Sequence, residues 1–136
     1  MKKILLSLIL LSTIIYAGPY TREDRIKDMQ EMAEAMNTIQ SGFFYNNYDT
    51  VASGVQHLTD AMEGIRPPLE ELNEKDPMAR YMNNKIQMTR KVVRNINQKS
   101  LTILQRFKSG DSNQAVQAYK KILEQCMKCH RQTRNW

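Results

Sequence analysis

Both cysteines of the 136-residue chain fall in one short run, Cys126-Met127-Lys128-Cys129-His130. This spacing is the CxxCH pattern of covalent haem attachment. Two thiols add across the two vinyl groups of a haem, each S–H crossing one double bond to leave a thioether. Two intervening residues bring the sulfurs to one side of a helical turn. The adjacent imidazole then reaches the iron from its proximal side. The motif therefore predicts one covalently attached haem c, with Cys126 and Cys129 as its anchors and His130 on the iron. Other uses of the pair fit less well. A thioredoxin-like CxxC needs a βαβ setting, and no strand pattern is visible. Zinc needs four ligands, and outside the motif only His57 could join. A disulfide across CxxC would close a small, strained loop.

The elements that must position this motif read as four amphipathic helices. The first runs from about Thr21 to Phe44, where Thr21 and Asp24 resemble a capping box. Its apolar stripe is Ile26, Met29, Met32/Ala33, Met36, Ile39 and Phe43, at helical spacing. Asn46-Asn47 signals a turn. The second runs from about Asp49 to Ile65, with Val51, Val55, Leu58, Met62 and Ile65 on one face, and Pro67-Pro68 ends it. Asp76-Pro77 opens the third, as a cap followed by Pro at the first helical position. Its stripe is Met78, Met82, Ile86, Val93, Ile96, Ile103/Leu104 and Phe107, and at ~1.5 Å per residue it could reach ~45 Å. Gly110 is a natural stop, and Asp111 or Ser112 caps the next helix. The fourth starts near Asn113, with Ala115, Tyr119, Ile122, Cys126 and His130 on one face. Mostly short connections predict an all-α, antiparallel, up-down-up-down four-helix bundle.

In such a bundle the first and fourth helices are antiparallel neighbours. Met29 lies about eight residues into the first helix, ~12 Å along its axis, at the end where His130 sits. Met and His are the usual side chains on the second face of a haem iron. Met29 is accordingly the predicted distal ligand, with Met32, one turn deeper, as runner-up and Met36 deeper still. His57 lies beside the stripe of the second helix, which suits a partly exposed structural histidine.

The N-terminal residues read as an address. Met1-Lys2-Lys3 is a positive start, Ile4 to Ile15 an apolar run broken only by Ser and Thr, and Ala17 a small residue at a plausible cleavage point. This is the pattern of a secretory signal peptide over 1–17; the apolar run falls short of the roughly 20 residues that span a bilayer. The mature domain would be 18–136, a periplasmic protein, soluble once the signal is cleaved, in a compartment where nucleic acid is not a partner.

Signal, four helices and a late CxxCH together resemble the cytochrome c′ family of class II c-type cytochromes, over the whole mature chain. The first helix of that family carries an Arg, three residues, and then the residue facing the distal side of the iron. Here that stretch reads Arg25-Ile26-Lys27-Asp28-Met29. Five-coordinate members have a bulky non-ligating residue at the last position, and six-coordinate, low-spin members have Met, as here. The resemblance implies haem propionate contacts for Arg25 and for Arg134, four residues after His130. It also implies dimers formed through the early helices, so a homodimer is a further expectation. One departure is the compact loop from Arg66 to Lys75, which is often longer and Gly-rich in the family.

The expected function is electron transfer, not catalysis: no nucleophile–base pair, carboxylate dyad or phosphate loop is visible. Histidine and methionine ligation keeps an iron low-spin in both oxidation states, and a soft thioether raises the potential. The alternative is a gas-binding (NO or CO) protein with a five-coordinate haem, in which Met29 packs beside the iron without ligating it. The charges are segregated. Residues 18–76 hold five basic and twelve acidic residues, 77–110 eight basic and no acidic, and 111–136 five basic and two acidic. Such a split can orient docking, so redox partner proteins with an acidic docking face are expected at the side of Lys120, Lys121, Lys128, Arg131 and Arg134.

Overall fold

Asn46 has φ 49° and Gly110 has φ 82°, and these two left-handed residues turn four helices into two hairpins. The computed structural model describes residues 22–65 and 77–133. They form α1 (Arg22–Phe44), α2 (Tyr48–Glu63), α3 (Pro77–Lys108) and α4 (Ser112–Thr133). The predicted signal segment 1–17, the cap residues Thr21 and Asp76, the loop 66–76 and Arg134 lie outside the described residues. So do the side chains of Met78 and Met82.

The two turns share one construction. After α1, Asn46 N–H donates to Phe43 O and Asn47 N–H to Gly42 O. After α3, Gly110 N–H donates to Phe107 O and Asp111 N–H to Arg106 O. Both are Schellman motifs, which satisfy the last carbonyls of a helix while reversing the chain. The next residue in each case starts the following helix. Asn47 Oδ1 accepts from Thr50 N–H at 3.0 Å, and Asp111 Oδ1 from Gln114 N–H at 3.1 Å. Caps of this kind contribute ~1 kcal/mol each. Of the two caps open for α4 in the sequence, Asp111 is the one used.

Close packing of backbones is extensive within the α1–α2 and α3–α4 hairpins and more limited between α2 and α3. The fold is the expected all-helical four-helix bundle. Lys108 Nζ of α3 lies over the Tyr48 ring of α2 at 5.9 Å, so the end of α3 meets the start of α2 and the pair is antiparallel. The core comes from all four helices. Ile39, Val51, Leu58, Ile103, Ala115 and Ile122 are each wholly buried.

Ile26, Ala35 and Val92 are among the positions that depart from the stripes read in the sequence. Ile26 is 45% exposed, while Ala35, off the expected stripe, is 1% exposed. The buried face of α1 is rotated toward α2, because Gly54 lets the two helices meet: a Cβ there would lie 2.8 Å from Ile39 N and 3.0 Å from Ala35 O. Ile26 sits instead on the exposed flank shared with Ala33, seven residues on. The seam between α1 and α4 is open: the two barely approach backbone to backbone. On α3, Val92 joins Val93 in the core, which the one-face reading missed.

Candidate functional site

Met29, Met32 and Met36 of α1 line an apolar cavity of about 420 Å3 together with Cys126, Cys129 and His130 of α4. The cavity fills the α1–α4 seam and is closed behind by Met62 of α2, by Ile65 just beyond its end, and by Thr89, Val92, Val93 and Ile96 of α3. The motif and the methionines, almost a hundred residues apart in sequence, thus share one space. Its volume is in the usual range of cofactor and ligand pockets, and its lining has their mainly apolar character.

Helical geometry explains the arrangement within α4. Cys126 and Cys129 are one turn apart and half-buried, and they are not joined in a disulfide. Met127 and Lys128, between them, point outward and are exposed. Burial first, and then the neighbouring Cys129, push the Cys126 thiol above its ordinary pKa. Cys126 is therefore a protonated thiol at neutral pH.

The register between α1 and α4 is fixed by one contact. Tyr119 Oη donates to Met36 O at 3.3 Å, with Gln40 Oε1 at 3.5 Å as a second acceptor. Seven residues back from Met36 is Met29, and seven residues on from Tyr119 is Cys126. The helices are antiparallel, so Met29 stands level with Cys126 and Met32 level with Leu123. Helical side chains lean toward the N-terminus of their own helix. Met29 thus leans upward, toward the level of His130, and His130 leans downward, toward the level of Cys126. Met32 starts one turn lower and is 8% exposed, inside the core; Met29 is half-buried.

Tyr119 is the main cavity residue that the sequence marked only as core. It is half-buried, and burial followed by the proximity of Cys126 raises its phenol pKa, so it remains a donor. Phe43 packs edge-on to it at 5.7 Å and also meets Phe107 at 5.2 Å. Met62 and Thr89 are among the other additions. Thr89 Oγ1 is occupied within its own helix, donating to Lys85 O at 2.9 Å.

Other expected participants stand elsewhere. Arg25 is exposed, one turn before Met29, and is not part of the cavity wall. His57 is exposed in a separate depression on the α1–α2 face, among Asp28, Glu31, Glu34 and Asp60. It cannot complete a zinc site with the cysteines, and no group of three His, Cys, Asp or Glu suited to a metal occurs among the described residues. None of the described helices is long and apolar enough to cross a membrane.

No protein-family model, curated protein or solved structure matches this chain. Its functional reading rests on its own residues.

Proposed function

We propose that the protein is a c-type cytochrome of the cytochrome c′ kind, which carries single electrons on one covalently attached haem in the periplasm. The observation that carries the reading is the convergence of Cys126, Cys129, His130 and Met29 on one apolar cavity. The residues fit such a group on two counts. The donor set pairs two thiols one helical turn apart with an imidazole and a facing thioether. The wall around them is otherwise mostly hydrocarbon, which suits a flat macrocycle and keeps water from the metal.

Bound there, a haem supplies a one-electron Fe(III)/Fe(II) couple. The chain does the rest. Cys126 and Cys129 would hold the ring covalently on α4, and His130 and Met29 would supply the imidazole nitrogen and the thioether sulfur for its iron. Met32, Met36, Val93 and Ile96 hold the local dielectric low, which together with a thioether ligand favours the reduced state. The matured protein, made in a cell that exports it and attaches haem, is the direct test. Its oxidised form should show the weak far-red charge-transfer band of a Met–Fe(III) pair. A high-spin spectrum without that band would favour the five-coordinate, gas-binding alternative. The half-burial of Met29 beside an open seam is the observation that keeps that alternative in play, since such a side chain can swing aside.

The signal segment supports export, and the charge split supports docking. Lys120, Lys121, Lys128 and Arg131 of α4 are all exposed, as are Glu23, Glu31 and Glu34 of α1. The ion pairs Lys27–Glu31, Arg106–Asp111 and Lys121–Glu124 are each local to one hairpin and, being exposed, add little stability. Lys120, Lys128 and Arg131, with Lys121 beside its partner Glu124, would thus face an acidic redox partner. Electron-transfer rates with such a partner should fall as ionic strength rises, because the Debye length shrinks from ~30 Å at 0.01 M to ~10 Å at 0.1 M. A rate indifferent to salt would remove this docking role.

A further inference from the structure

Methionine ligation needs two helices at a fixed separation, since Met29 is on α1 and the anchoring cysteines are on α4. Backbone packing does not set that separation, because α1 and α4 barely touch main chain to main chain. Side chains that bridge the seam must set it. We infer that Tyr119 is a positioning residue, a strut from α4 to α1 that determines how firmly a methionine of α1 can reach the metal of a group anchored on α4. This rests on the haem-binding reading above.

Three observations place the strut. The shorter hydrogen bond of the Tyr119 hydroxyl, 3.3 Å, goes to the main-chain carbonyl of Met36 and so bears on the axis of α1 itself, with the side-chain Gln40 Oε1 a longer second acceptor at 3.5 Å. The bond lies seven residues below Met29 on one helix and seven below Cys126 on the other, about two turns or ~10.5 Å along each axis. It is therefore a rung parallel to the one that the ligand and the anchor would form. The ring of Tyr119 is also set edge-on against Phe43, which in turn packs on Phe107 of α3. That contact survives removal of the hydroxyl, so the two parts of the side chain can be tested apart.

The variant Tyr119→Phe, in the matured haem-loaded protein, isolates the hydroxyl. Its oxidised form should show a weaker far-red band than the parent. Carbon monoxide, which competes with Met29 in the reduced form, should bind roughly three- to tenfold more tightly, the size of one lost neutral hydrogen bond. Asn95→Ala provides the contrast. It removes the Asn95 Nδ2 to Gln125 Oε1 bond of 3.2 Å on the α3 side of α4. It should lower the unfolding midpoint while leaving band and carbon monoxide affinity alone. If Tyr119→Phe behaves as Asn95→Ala does, losing stability with unchanged band and affinity, the strut is overturned and Tyr119 is ordinary packing. A parent protein that lacks the far-red band defeats the methionine-ligated reading and this inference together. A parent that has it, with an indifferent Tyr119→Phe, defeats this inference alone.

Discussion

Met29→Ala should convert the oxidised protein from a low-spin to a high-spin spectrum, erase the far-red band and open the reduced iron to carbon monoxide. On the proposed ligation, the gas would bind in the parent only to the fraction of molecules whose methionine is off the metal. If that fraction is about 1%, the apparent affinity rises by ~10²-fold once the side chain is gone. Stability and spectrum should then separate along the methionine row. Met32 and Met36 are 8% and 7% exposed, so their truncation leaves a cavity and costs about 2–5 kcal/mol while sparing the band. Met29 is half-buried and should cost less in folding yet take the band with it. Should Met32→Ala abolish the band instead, the ligand lies one turn deeper than the register with Tyr119 indicates.

Gly54→Ala should destabilise the protein by about 2 kcal/mol, read as a lower denaturant midpoint at unchanged slope. The added methyl would meet Ile39 N and Ile39 Cγ1 at 2.8 Å and Ala35 O at 3.0 Å. Two of those three atoms are main chain, which can give way only if α1 and α2 move apart. The matching change at Gly64 separates crowding from helix propensity. There the nearest atom is Asp28 Oδ2 at 2.6 Å, the tip of a side chain that can rotate. Gly64→Ala should stay within about 0.5 kcal/mol of the parent. Equal losses at both positions would show that the close approach of α1 and α2 is not what holds the hairpin.

Much of this architecture was legible residue by residue. Asn46-Asn47 and Gly110-Asp111 announced turns because left-handed backbone and side-chain caps each favour a few residue types, and both dipeptides supply one of each. The CxxCH run and the row of methionines stood at spacings that a helix turns into faces. What could not be read was how far each face is rotated toward its neighbours. Ile26 and Ala35 exchanged places because a glycine on a different helix draws α1 toward α2, and periodicity within α1 carries no trace of that. Tyr119 looked like one more apolar position, since its partner is a main-chain carbonyl 83 residues away. Met62 and Thr89 face the cavity from across the motif: the pattern of its own helix marked Met62 only as inside, and Thr89 lay off the stripe read for α3. The open seam between α1 and α4 is likewise a property of the assembly, not of either segment.

That seam has a consequence in time. Its walls are the outermost two of the four helices in chain order, so closing it joins the points most widely separated along the polypeptide. Each hairpin can form from local contacts, whereas the rung between Tyr119 and Met36 must close a long loop and bear its entropy. The groove is thus the last part of the bundle to assemble and the first to loosen. On the haem-binding proposal, the thiols of α4 would stay accessible until α1 docks, which is when a bulky planar group could be joined to them, and docking would then bring the methionines over it. A fold that leaves its final seam to α1 and α4 would, on that proposal, order its own maturation: attachment first, ligation afterwards.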